Sequence, residues 1–436
     1  MTKFQTVVTL LFGLFIVIGV IVFSMSRAGA PGENNKVLIW GTLREDIVTD
    51  AIKDHPLLGK GDTVIVIYVK KNALTFDQDL IEALADGRGP DAIFLSQDSI
   101  LKHKAKIYPI PYKTFSERKF KDTFIEEGEL YLFPEGALGI PFLIDPLVMY
   151  WNRDIFSNAG ISVAPQYWDE FFTIAPLLTK KDKSLNITHS AVALGEYGNI
   201  FHAKEILSAL IMQAGSPITK NTDMGVTSVL SEAFNKPLIP AEAALNFYTE
   251  FSNPVKIFNS WNRSLPRSDE FFTSGDLGIY FGTASELPLL REKNPNINFD
   301  VALFPQAREG NVKTTYGTMQ ALTVLKSARN IPAAISVALA FSELSIAKLL
   351  SALTFLPPVR RDLLSVLPGD DPYATVFYQS AIRSRGWIDP YDSKTEAIFR
   401  SMIESVTGGR TSASQAVLRA DAEIKELLKD QEKNAK

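Results

Sequence analysis

Cysteine is absent from all 436 residues. That excludes a lipid-modified N-terminal cysteine, disulfide stapling and any Cys-based metal site. Histidine is scarce: His55, His103, His189 and His202 lie in helix-like or polar stretches, at a spacing that suits no metal site. Neither sign of charge dominates. The formal net charge is −4, and the basic residues are scattered rather than striped. With no zinc-finger or aromatic RNA-binding pattern either, nucleic acid is not an expected partner. Also missing are a nucleophile elbow, a phosphate-binding glycine loop, an H-E-x-x-H pair and any internal repeat. No catalytic residue, metal or cofactor is assigned.

What is present begins at the N-terminus. From Phe4 to Ser26 the chain runs without a charge, between Lys3 and Arg27. About 20 apolar residues suffice to span a bilayer, whereas the apolar region of a secretory signal is roughly 7–15 long. The run therefore reads as an uncleaved anchor, while "AGA" (Ala28–Ala30) resembles a cleavage site and keeps a signal segment open. Lys3 favours a cytoplasmic start with the bulk of the chain on the outer face of the membrane. An exported chain without a lipid tether diffuses away or needs a protein anchor, and this segment can supply one. "APGENN" reads as a linker that closes an N-terminal segment of 1–35.

The remaining length exceeds one average domain and predicts two lobes. "KVLIW" and "DTVIVIYV" are β-rich runs with a helical pattern between them. A helix over Phe76–Ala85, a Gly-Pro turn and a strand from Ala92 to Leu95 follow. Strand and helix in alternation imply parallel pairing through right-handed crossovers, hence an α/β lobe. The middle of the chain is mostly helical. Three proline-marked passages, Ile140–Pro146, Val301–Pro305 and Leu356–Pro358, read as crossings between lobes, because proline fixes φ and removes a donor. The first of them, "ALGIPFLIDPLVMYWN", fits no single element of secondary structure, with Asp145 held between Pro141 and Pro146.

These pieces resemble, in order, the extracellular solute-binding proteins of family 1, the maltose- and oligosaccharide-binding type that serves ABC importers. The carriers are "KVLIWGT", "ALADGRGPDAIFLSQD" and "LGIPFLIDPLVMYWNRDIFSNAGI" followed by "APQYWDEF". Then come "IMQAGSPI", "SWNRSLPRSDEFFTSGDLGIYFG" and "LPPVRRDL". The resemblance covers about residues 36–430. It implies a two-lobed α/β fold of the periplasmic-binding-protein type with a three-crossing hinge, preceded by the transmembrane helix or signal segment. It divides the chain into a first lobe of 36–143 plus 305–355 and a second of 146–303 plus 357–430. It also implies a small-molecule solute, expected to be a carbohydrate, ABC permease subunits as partners, and a monomer.

A sugar offers C–H faces to aromatic rings and hydroxyls to carboxylates and arginine. By position in the family pattern the ligand candidates are Trp40, Arg44 and Asp98 on the first lobe and Asp145 at the crossing. On the second lobe they are Glu196, Tyr197, Trp261, Tyr280, Phe281 and Trp387. Each has a plainer reading. Trp40 ends a strand and fits a core; Arg44 fits a helix surface; Asp98 fits a helix cap. Tyr280 and Phe281 alternate on a strand, so only one of the two is expected to face a cleft. Trp261, in the polar stretch "NSWNRS", is expected to be exposed. Leu95 stands where a typical maltose binder has an aromatic, so the ligand's identity stays open. Two rival readings remain: an anchored sensor on the same fold, and an anchored carbohydrate-active enzyme drawing on Asp98, Asp145 and Glu196.

Overall fold

The computed structural model describes residues 35–435 apart from 59–63, 223–224, 310–312 and 370. The expected membrane helix or signal segment lies outside the described residues. Among the described residues no single helix is long and apolar enough to cross a membrane.

The alternation read from the sequence builds one end of a mixed sheet. Strand Lys36–Gly41 pairs in parallel with Ile65–Lys70 on one side and Ala92–Ser96 on the other. Helices Glu45–Ile52 and Phe76–Ala85 make the crossovers that parallel strands require. The sheet then continues antiparallel through Thr315–Val324 to Ile140–Asn152. From there it runs on through Leu277–Thr283, antiparallel, and Ile187–Val192, parallel.

The passage that fitted no single element is in fact one strand, Ile140–Asn152. Its prolines stand where ladder bonds are already interrupted. Pro141 lies opposite Ala321, beside the register shift at Gln320/Ala321. Pro146, opposite Gly317, ends the pairing with Thr315–Val324, and Leu147 opens the pairing with Thr283. A residue without an N–H is tolerated at a bulge or at a change of partner.

Burial divides the molecule into two lobes with separate cores. Val37, Phe94, Phe142, Ile144, Met319 and Phe341 belong to one cluster; Leu147, Tyr150, Leu210, Tyr248, Tyr316 and Phe399 belong to the other. The chain therefore changes core between Ile144 and Leu147, and again between Tyr316 and Met319. Leu356–Pro358 lies against the first of these crossings: Leu143 bridges Pro358, and the Ile144 N–H donates to the Pro357 carbonyl at 3.3 Å. Val359, Leu364 and Ala381 still pack with the first core, whereas Phe399 and Met402 pack with the second. Leu356–Pro358, expected to be a crossing, therefore stays with the first core, and Val301–Pro305 stays with the second, because the residues on either side of each pack in the same cluster. The third passage lies between Ala381 and Phe399, where Ser384–Arg385 pairs in parallel with Thr315–Tyr316. Three segments thus run side by side between the lobes, the arrangement from which a hinge can be made with few changes of torsion.

Candidate functional site

Asp145 sits where the crossing strand changes partner. Its carboxylate accepts the Ser285 N–H at 3.0 Å and the Ser285 hydroxyl at 2.6 Å. Burial raises its pKa, and those two donors pull the other way. The neighbouring Glu286 accepts from the Tyr280 hydroxyl at 2.5 Å, the Thr283 N–H at 3.1 Å and the His202 imidazole. His202 is a non-glycine residue in the left-handed region, at φ 62°, directly before helix Ala203–Gln213. Such a conformation persists only where the surroundings over-determine it, and here Glu286 holds the ring.

Burial alone would lower the His202 pKa, but the hydrogen bond and charge of Glu286, with Glu205 and Asp145 behind them, outweigh it and hold it above the ordinary value. A group whose pKa is raised on folding contributes stability below its unfolded pKa and loses it as pH rises through the folded value. Unfolding free energy is therefore expected to fall as pH rises above about 6.5, the ordinary value for histidine. Urea titrations across pH 6–9 check this. In His202→Gln that part of the slope should vanish; an unchanged slope would exclude His202 as its source.

A second cluster brings the two lobes face to face. From the second lobe, Lys204 Nζ donates to Asp389 at 2.7 Å, Asp392 at 2.5 Å and the Thr395 hydroxyl at 2.9 Å. The Thr395 hydroxyl in turn donates to Asp389 at 2.7 Å. From the first lobe comes Asp98, in the turn after strand Ala92–Ser96, where it accepts from the Ser96 and Ser99 hydroxyls. Burial pushes the Asp98 pKa up to about 6, Asp392 and Asp389 push the same way, and Ser96 and Lys204 oppose them. Lys102 of the first lobe lies 4.5 Å from the ring centre of Tyr391.

Near Asp98 lies Glu127, whose pKa burial pushes up to about 8, Asp98 adding to the rise while the charge of Arg385 opposes it. Both Glu127 carboxyl oxygens are buried without a hydrogen-bond partner among the described residues, and so is the Trp387 indole N–H. Gly386 lets them come together: a Cβ there would stand 2.5 Å from Glu127 Oε1. The Trp387 ring stacks on Phe399, with Lys204 Nζ 5.5 Å from its centre. Gln97 ties this region to the crossing, donating to the Gly317 carbonyl at 2.9 Å and accepting from the Met319 N–H at 2.7 Å.

Of the residues expected at the ligand, Asp98 and Trp387 meet here, and Tyr197 stands close by, half-buried under Arg400 and within electrostatic reach of Lys204. Asp145 heads the separate cluster at the crossing. The others are placed elsewhere. Trp40 is buried on its strand beneath Lys71 Nζ, 3.8 Å from the ring centre. Arg44 pairs with Asp46 in the open. Glu196 is paired with Arg263 at 3.3 Å. Trp261, expected to be exposed, is fully buried, and its N–H donates to Asn199 at 3.1 Å. Tyr280 and Phe281 are both buried, because helices and loops cover both faces of their strand: Tyr280 stacks on Phe272, and Phe281 meets Phe304 edge-on.

Lys204, Glu127, Asp389, Asp392 and Thr395 were not anticipated. Their partners lie up to 191 positions apart. The signal available was two acids close about a proline in "WIDPYD"; Lys204, beside Glu205 at the start of an amphipathic helix, gave none.

The family described as bacterial extracellular solute-binding protein matches residues 73–344, more than half of the chain. Relatives named as binding proteins in Brucella abortus and Brucella suis are 25% identical over 227 residues, which is 50% of this chain and 50% of theirs. The chain thus spans about half the length of the curated relatives it matches. Among solved structures, a cyclo/maltodextrin-binding protein complexed with maltotetraose superposes with a TM-score of 0.73 at 16% identity, covering 91% of this chain and 98% of that one. The sugar-binding protein MalE of Xanthomonas citri gives 0.70 at 19% identity, with coverages of 91% and 98%. A solute-binding protein of Thermotoga lettingae bound with α-D-tagatose gives 0.66 at 18%, covering 90% and 100%. At these identities the likeness shows the fold.

Proposed function

The chain belongs to the bacterial extracellular solute-binding protein family, and on that premise we propose that it captures a sugar or oligosaccharide between its lobes and passes it to ABC importer permease subunits. One observation carries this reading: polar groups of both lobes, Asp98 on one side and Lys204 with Asp389 and Asp392 on the other, lie within electrostatic reach of one another where the lobes meet. Small-molecule sites favour such interfaces. A solute that contacts both faces binds the closed arrangement better than the open one, and that difference in affinity is what drives closure.

In this reading Asp98, Tyr197 and Trp387 touch the solute, while Asp145 governs the crossing and Glu196 flanks the second lobe's rim. The first lobe is built on 36–143 with a return from Met319 through Leu364, and the second on 146–303, extended to Tyr316 and resumed by Phe399. The segment 4–26 tethers the monomer to the outer face of the membrane. The solute leaves chemically unchanged.

The test uses the full-length chain in detergent, following thermal unfolding and tryptophan fluorescence against mono- and oligosaccharides. A ligand at about 100-fold its Kd adds about 2.7 kcal/mol to the folded state. We expect a rise of several degrees with one class of sugar, recovered intact by mass spectrometry, and a loss of that rise in Asp98→Ala. Silence from every sugar overturns the carbohydrate reading; a hydrolysed sugar overturns the binding-only reading.

A further inference from the structure

We infer that the solute carries a protonated amine, and that Asp98 and Glu127 are the carboxylates that receive it. The inference rests on the reading of the interlobe gap as the solute site. Asp389 and Asp392 pair there with the single ammonium of Lys204, and Asp98 lies within electrostatic reach of all three. Lys204 is already shared between Asp389 and Asp392 and leaves Asp98 with only the hydroxyls of Ser96 and Ser99. Other cations nearby are engaged elsewhere: Lys102 pairs with Asp77, and Arg385 with Glu126. Closing the lobes on an empty gap therefore brings like charges together. Closing them on a neutral polyol does not relieve that repulsion.

Glu127 supplies the independent observation. Its side chain is 1% exposed, and neither carboxyl oxygen has a hydrogen-bond partner among the described residues. The charged and titratable groups around it are Asp98, Arg385, Tyr131 and Tyr316. Leaving a buried polar group unsatisfied is costly, and such groups are found where a ligand completes them. An ammonium offers several donors and a charge, which satisfies Glu127 and Asp98 together. Among the described residues no three His, Cys, Asp or Glu side chains are arranged to hold a metal ion. Trp387, with its buried and unpartnered indole N–H beside Gly386, leaves one further donor for a hydroxyl of the same solute. Within the carbohydrate reading the class is an amino sugar.

The solute's charge also has a proton signature. In the unliganded protein Glu127 is largely protonated at pH 7, and an ammonium placed beside it favours the carboxylate. Binding of an amine is expected to release protons at pH 7; binding of a neutral sugar is not.

Isothermal titration of the full-length chain in detergent, at pH 7 in phosphate and again in Tris, reads both affinity and protons. The probes are glucosamine and a chitosan dimer, their neutral counterparts glucose, N-acetylglucosamine and maltotriose, and spermidine. We expect the amino sugars to bind about tenfold or more tighter than the neutral sugars, with a buffer-dependent enthalpy. Asp98→Asn and the isosteric Glu127→Gln should each erase that preference, and Glu127→Gln should also erase the buffer dependence. Equal binding of neutral and amino sugars, without proton release, overturns this inference and leaves the carbohydrate reading standing. Binding of spermidine alone sustains the amine and overturns the carbohydrate. Silence from every probe overturns both.

Discussion

Replacing Lys204 with alanine is expected to cost about 3–5 kcal/mol, the range for breaking a buried ion pair by removing one partner. The loss falls mainly on Asp389. Its side chain is 1% exposed, against 48% for Asp392, so Asp392 can turn to water and Asp389 cannot. Without the ammonium, Asp389 keeps only the Thr395 hydroxyl and the Tyr391 N–H. At about 2–4 °C per kcal/mol for a domain of 150–250 residues, the unfolding midpoint should fall by roughly 6–20 °C. Scanning calorimetry of the unliganded protein measures it. The double variant Lys204→Met/Asp389→Asn removes both charges, and should recover about half of the loss or more, since contacting residues couple by about 0.5–3 kcal/mol. If the double variant were as unstable as the sum of the two single variants, the cluster would not act as a unit and the interlobe charge arrangement would have to be redrawn.

That cluster also marks the limit of what the chain discloses by inspection. Local pattern is legible: the helix Phe76–Ala85 lies at the bounds its spacing implies, and the strands on either side follow from β-branched runs between turn residues. Strand Ile140–Asn152 was hidden because proline reads as a breaker, and only its partners reveal that a bulge and a change of neighbour excuse the two missing donors. Asp98 and Trp387 could be picked out, since each stands in a loop beyond a regular element. Lys204 could not. A lysine near the start of an amphipathic helix is nearly always a solvated charge, and what buries this one is a loop 185 residues further on. Sequence shows which groups are unusual, and tertiary pairing decides what they meet.

Trp261 carries that argument to a measurement. Its polar neighbours in "NSWNRS" suggested an exposed indole waiting for a sugar, yet only Arg263 and Ser264 turn outward, while Asn259 and Ser260 are buried and the ring enters the second core, edge-on to Phe271 at 5.8 Å. Asn199 spans the loop from 62 positions away, accepting from the indole N–H and donating to the Asn262 and Leu265 carbonyls at 2.9 Å each. Trp261→Ala is therefore expected to cost about 3–5 kcal/mol, as large-to-small changes at buried tryptophans do. Trp261→Phe keeps most of the volume but orphans the Asn199 oxygen, a loss of about 1–3 kcal/mol. Urea unfolding without any solute present separates the two roles, because a residue that only touches ligand leaves the unliganded protein as stable as before. If both variants unfolded like the parent and had lost solute binding, the ring would belong in the gap between the lobes, and the packing of the loop around Asn199 would have to be rebuilt.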